Sequence, residues 1–130
     1  EEILKEFDFL LKDIFGIEVY DSRDKKIIAL KMKNYLDEKF RSNVTNQLLA
    51  ANLGFVPSYL VSIFKICYGL TPMDYLVNKR IDEAKVLLED GSLKIKDIAR
   101  VVGYEDSLYF SKVFKKFTGV SPKEYKGDGV

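Results

Sequence analysis

The residues best suited to chemistry lie in Ser107–Thr118, a stretch with three lysines and no acidic side chain. At about 100° per residue of an α-helix, Leu108, Ser111, Lys112 and Lys115 gather on one side, with Lys116 at its edge. Phe110, Val113, Phe114 and Phe117 gather on the other and are expected inside. An α-helix fits the major groove of DNA, where the first of these faces would meet base edges. Ser111 can hydrogen-bond several bases, Lys112 can reach guanine, and Leu108 can touch a thymine methyl. Lys115 and Lys116 suit phosphate oxygens. A plainer alternative is a solvated face, since three lysines on an exposed helix need no ligand. A second stretch, 57–68, divides in the same way. Leu60, Ile63, Phe64 and Cys67 fall inward, which puts Cys67 in the core, while Ser58, Val61, Ser62 and Lys65 fall outward. That outward face is small and nearly uncharged, a modest surface for reading DNA.

Duplication changes the weighing. Leu49, Ala50, Leu53, Gly54 and Phe55 answer to Ile98, Ala99, Val102, Gly103 and Tyr104. After a turn one residue shorter in the first copy, residues 59–65 face residues 109–115, and the match continues through Gly69/Gly119, Pro72/Pro122 and Tyr75/Tyr125. Each copy reads as a short apolar helix, a Gly-containing turn and an amphipathic helix, the plan of a helix-turn-helix. Two such helices can address neighbouring turns of the groove, about 34 Å apart. A merely soluble surface needs no such repetition.

Between the copies, residues 71–90 form the element that must hold them. Thr71 is a helix cap, Pro72 fits the first helical position, and Asp74 answers the cap. Leu76, Val77, Ile81, Ala84, Leu87 and Leu88 line one face, and Gly91 ends the helix. At about 1.5 Å per residue it spans roughly 27–30 Å. Upstream, residues 2–15 read as a helix with Ile3, Phe7, Leu10, Leu11 and Ile14 on one face, followed by a linker to residue 24. This segment reads as a terminal helix packing on the domain or, in the favoured reading, as a connector or half of a dimer contact from a larger protein. Residues 25–40 form a further helix lined by Ile28, Met32, Tyr35, Leu36 and Phe40. In copy one, helix 45–53 buries Leu48, Leu49 and Leu53; in copy two, helix 92–102 turns Ile95, Ile98, Ala99 and Val102 inward. Asp106 caps the following helix, and Ser121 with Glu124 opens a short last one. The expected fold is all-α: two helix-turn-helix lobes, about 25–70 and 92–126, joined by the long helix 71–90. An extra N-terminal helix precedes them, and 127–130 form a tail.

Composition narrows the function. The chain has no His, so His-based triads and His-ligated metals are excluded. Cys67 is the single cysteine, which rules out an internal disulfide and a multi-Cys zinc site. With no Gly-rich phosphate loop either, no catalytic residue, cofactor or metal is expected, and an enzyme is the unfavoured class. The net charge of +1 hides a local pattern: residues 1–42 sum to about −1 and residues 43–126 to about +3. No apolar run reaches membrane-spanning length, and the Glu1-Glu2 start is no signal peptide, so a cytoplasmic setting without a membrane is expected. The chain starts without Met, which fits a piece of a larger protein.

Gly103 and Tyr104, then Ser107-Leu108-Tyr109-Phe110-Ser111-Lys112-Val113-Phe114-Lys115-Lys116, then Gly119-Val120-Ser121-Pro122-Lys123-Glu124-Tyr125, resemble the signature of the AraC/XylS family of bacterial transcription regulators. Ile95 to Ala99, Arg80-Ile81 with Ala84, Leu87 and Leu88, and Pro57-Ser58-Tyr59-Leu60 fit the same pattern. The last is also similar to response regulators that carry this module behind a phosphorylatable receiver. The resemblance covers about residues 25–126 and implies a seven-helix module whose two second helices enter the major groove of a promoter. Carried over by position, the base readers are Ser58, Val61 and Ser62 in copy one, and Ser107, Leu108, Ser111 and Lys112 in copy two. Lys65, Lys115 and Lys116 become backbone contacts. The implied partners are double-stranded promoter DNA, RNA polymerase, and a sensor or receiver domain lying N-terminal to this chain. Two departures stand out: Ser62 where relatives often carry Arg, and Val56 where they carry a capping Asn. Both weaken base reading by the first lobe. The competing class is therefore a helical protein-interaction module that has lost DNA binding.

Overall fold

In a computed structural model, residues 22–128 are described; the expected N-terminal helix at 2–15 lies outside them. Seven helices and no strand occur among the described residues. They are α1 (Ser22–Lys39), α2 (Asn46–Leu53), α3 (Pro57–Tyr68), α4 (Pro72–Asp90), α5 (Ile95–Val101), α6 (Ser107–Thr118) and α7 (Pro122–Asp128). The chain folds as two compact units. One takes α1 up to Asp37 and then Val44–Tyr75; the other takes Glu38–Asn43 and everything from Leu76 onward.

In the first unit, the Thr45 hydroxyl accepts from the Leu48 N–H at 3.1 Å and starts α2. α2 and α3 then bend through 97° across a three-residue turn, the angle of a helix-turn-helix pair. Behind the turn, Leu49, Leu60, Ile63 and Phe64 are fully buried with Met32 and Leu36 of α1. Phe64 packs edge-on against Tyr75, with centroids 5.6 Å apart. The Tyr75 hydroxyl donates to Asp37. Burial and that carboxylate together push the Tyr75 phenol above its ordinary value.

The second unit is built on α4, where Ile81, Ala84 and Leu88 are buried with Ile98 and Ala99 of α5, Val102 just past its end, and Phe110 and Phe114 of α6. An aromatic run continues the core: Tyr104 to Phe110 at 5.7 Å, Phe110 to Phe114 at 5.9 Å, Phe114 to Tyr125 at 5.5 Å. Thr71 caps α4 by accepting from the Asp74 N–H at 3.2 Å. Ser121 and Glu124 form the reciprocal pair expected before α7, at 3.1 and 3.3 Å.

Four sequence expectations need correction. Cys67 is exposed, although the wheel puts it on the core side. It sits in the last turn of α3 with Lys26 for a neighbour, where the apolar packing has run out. Phe117, expected inside, is 40% exposed at the matching place on α6. Leu48 is exposed while Leu49 carries the α2 core. The first helix of copy two begins only at Ile95, with Lys94 at its cap position in extended conformation and making no side-chain cap bond.

Candidate nucleic-acid interface

Asp106 fixes the start of α6. Its carboxylate accepts from the Leu108 and Tyr109 N–H groups at 2.9 and 3.3 Å. At the other end Gly119 takes φ 88°, and its N–H bonds the Lys115 carbonyl at 2.8 Å. Thr118 reinforces this stop by donating to the Phe114 carbonyl at 2.8 Å. With both ends held and Phe110 and Phe114 fully buried, the opposite side of α6 points to solvent. Leu108 is 75% exposed, the most exposed large apolar side chain among the described residues, and lies next to the exposed Tyr109. Lys112, Lys115 and Lys116 are exposed, and Ser107 and Ser111 are half-buried. All six copy-two residues therefore share one helix, with Leu108 and Lys112 one turn apart on its surface.

The corresponding helix of the first unit is held less firmly. Val56 occupies the cap position in extended conformation and makes no side-chain bond to the free N–H groups. Ser58 and Lys65 are exposed, but Val61 and Ser62 are half-buried, so the surface available for contact is smaller than the wheel suggests. Lys65 is the single basic residue of α3.

Two residues outside the sequence-based set belong in this description. Tyr109 is 58% exposed beside Leu108, whereas its repeat counterpart Tyr59 is buried against Phe55 at 5.7 Å. The extra residue in the second turn accompanies this difference: Tyr104 takes the buried place and Tyr109 meets only its edge, at 5.8 Å. Repeat alignment pairs the two tyrosines and so hides their opposite environments. The other residue is Arg80, buried on α4; a charged side chain carries no apolar periodicity, so a helical wheel cannot find it.

The far end of α6 carries both basic and acidic side chains. Lys115 and Lys116 occupy its last turn. Glu124 of α7 lies within reach of Lys115; its carboxyl is held below the usual range chiefly by the Ser121 hydroxyl and N–H, with Lys115 adding to the effect. Among the described residues no cluster of His, Cys, Asp or Glu is arranged to hold a metal.

The same architecture and residues recur in known proteins. A protein-family profile described as a helix-turn-helix domain matches residues 49–128. The arabinose operon regulatory protein of Escherichia coli is 38% identical over 85 residues, covering 65% of this chain and 29% of its own length. Among solved structures, the C-terminal domain of AraT, a response regulator from Geobacillus stearothermophilus, is similar with a TM-score of 0.75 and 33% identity. That likeness covers 78% of this chain and 84% of the other. The C-terminal domain of the two-component response regulator yesN from Fusobacterium nucleatum is similar with a TM-score of 0.72 and 36% identity, over 81% and 99% of the two chains. The chain spans about two fifths or less of the length of the curated relatives it matches. With the profile covering more than half of its residues, the chain belongs to the AraC/XylS family of bacterial DNA-binding transcription regulators.

Proposed function

We propose that this chain is the DNA-binding part of a transcription regulator, with α3 and α6 entering successive major grooves of a promoter site. The observation that carries the reading is the α6 face: exposed Leu108 and Lys112, capped by Asp106 and backed by a closed aromatic core. Ser107, Leu108, Ser111 and Lys112 read bases in the second lobe, and Lys115 and Lys116 hold phosphates. In the first lobe Ser58, Val61 and Ser62 read bases more weakly, and Lys65 holds the backbone. Residues 25–126 form the DNA-binding domain, with 1–24 as the connector to a sensor or receiver domain. The likeness to two response-regulator domains supports a receiver. RNA polymerase is the further partner, and the bacterial cytoplasm, where promoter DNA lies, is the setting.

Selection of bound sequences from a random duplex pool, followed by titration at two salt concentrations, tests the proposal. An enriched motif bound more tightly than mixed DNA, with affinity falling as salt rises, is the expected result. The half-buried Val61 and Ser62 and the uncapped start of α3 favour a second reading, a protein-interaction module. Absence of salt-sensitive binding to any duplex would select it.

A further inference from the structure

Arg80 is 8% exposed. Burying a guanidinium is costly unless its donors are partnered, and here two backbone carbonyls take two of them. Nε donates to the Phe40 carbonyl at 2.6 Å and Nη2 to the Ser42 carbonyl at 2.7 Å. These carbonyls lie just past the end of α1, where helical partners run out. On its other side the guanidinium stacks on the Tyr104 ring, 4.8 Å from the centroid. Gly103 packs directly against it. A Cβ on Gly103 would lie 2.8 Å from Arg80 Nε, and the residue has φ +113°, so both space and backbone call for glycine there.

These contacts converge on one short turn. Gly103 and Tyr104 are also tied to α5 by N–H bonds to the Arg100 and Ala99 carbonyls, at 3.1 and 2.8 Å. Tyr104 packs on Phe110 and meets the edge of Tyr109, and Asp106, two residues on, caps α6. The turn that launches α6 is thus clamped between α5 and the Arg80 side chain.

Resting on the DNA-binding role proposed above, we infer that Arg80 is a positioning residue for sequence reading. Clamping the Gly103–Tyr104 turn, it fixes where α6 begins and hence which bases Leu108 and Lys112 meet. Base contacts fail when a helix shifts by about an ångström, because hydrogen-bonding groups must hold productive geometry. Phosphate attraction tolerates such a shift, because it depends on charge and counterion release. Arg80 therefore governs preference rather than general affinity. Lysine cannot replace it, since a single ammonium lacks the planar fork that spans two carbonyls while stacking on a ring.

The test compares Arg80→Lys, Tyr104→Leu and Tyr104→Phe with the wild-type chain. Each is measured where circular dichroism shows it folded, on the selected operator and on mixed-sequence duplex. Arg80→Lys and Tyr104→Leu are expected to lower the operator-to-mixed affinity ratio about tenfold, a loss on the scale of one base contact. Affinity for mixed DNA and its salt dependence stay the same. Tyr104→Phe keeps the ring and keeps the ratio. Hydrogen exchange gives a second readout: the Leu108 and Tyr109 amides, held by Asp106, should exchange faster in Arg80→Lys while the Gly119 amide does not. An unchanged ratio in Arg80→Lys overturns the role. So does a parallel loss of both affinities with exchange accelerated along all of α6, which marks a purely structural residue. A wild-type chain with no operator preference would overturn the proposed function, and with it the DNA half of this role; the exchange readout still reports Arg80's hold on α6.

Discussion

Lys112 and Lys115 carry the same charge three residues apart on α6, and the proposed interface gives them different work. Lys112 is mid-helix beside the exposed Leu108 and the half-buried Ser111, where base edges would lie. Lys115 sits in the last turn near Glu124, a place suited to the groove wall. Lys112→Ala is expected to relax preference at one base pair, costing about 1–3 kcal/mol on the operator. Lys115→Ala should weaken every duplex alike and flatten the log-affinity against log-salt slope by about one. Filter binding on the operator, on a single-base variant set and on mixed DNA separates the two; equal shifts on all of them would dissolve the distinction. Tyr75 makes a residue-scale prediction about stability. Its phenol is raised in the folded state by burial and by Asp37, so the folded form binds the proton more tightly than the unfolded chain does. The stabilisation is complete below the unfolded value near 10 and is lost as pH rises above it. Denaturant midpoints measured across that range should fall for the wild-type chain and fall less for Tyr75→Phe.

Helix ends decide how well each lobe can present its readers. α6 begins with a carboxylate serving two N–H groups; α3 begins with Val56, which serves none. Val56 already has the extended backbone of a cap, φ −78° and ψ 144°, and it is 41% exposed, so little packing is lost on replacing it. Val56→Asn is therefore expected to stabilise the chain by about 0.5–2 kcal/mol, and Asp106→Ala to destabilise it by a similar amount. Thermal or urea unfolding reads both, and a Val56→Asn chain no more stable than wild type would show that α3 gains nothing from a cap. Caps were legible in the sequence because they depend on local spacing: Thr71, Asp106 and the Ser121–Glu124 pair all act where the pattern puts them. The inward sides of α3 and α6 were legible for the same reason, up to Phe64 and Phe114. A wheel gives direction without saying whether anything stands there to cover a side chain, so Cys67, Phe117 and Leu48 came out exposed. Arg80 fitted the family pattern, but its contacts were illegible for a different reason: its partners are carbonyls about 40 residues away, which have no side-chain signature.

Connectivity sets the expectation for the whole molecule. The two helix-turn-helix copies follow one another in a single chain and differ in sequence, so a lone chain carries two different candidate faces. α3 offers Ser58, Val61, Ser62 and one lysine; α6 offers Leu108, Ser111 and three lysines. A symmetric operator would force two chains to share it, whereas one chain suits an asymmetric site of about two turns. Charge points to the same scale. The net charge of +1 is small, so the salt dependence is expected from the lysines proposed to meet the backbone rather than from a large overall charge. With Lys65, Lys115 and Lys116 as those contacts, log affinity should fall against log salt with a slope of about −3. Selected sequences should therefore align to a directional motif with one informative half facing α6 and a weaker half facing α3. Sedimentation of the complex should give one chain per duplex. Inverting the α6 half within the operator should reduce binding, because it reverses the bases proposed to meet α6 while those proposed for α3 keep their direction. A pool that instead yields inverted repeats with two chains bound, or a slope far steeper than the three lysines allow, would replace the single-chain reading with a paired one.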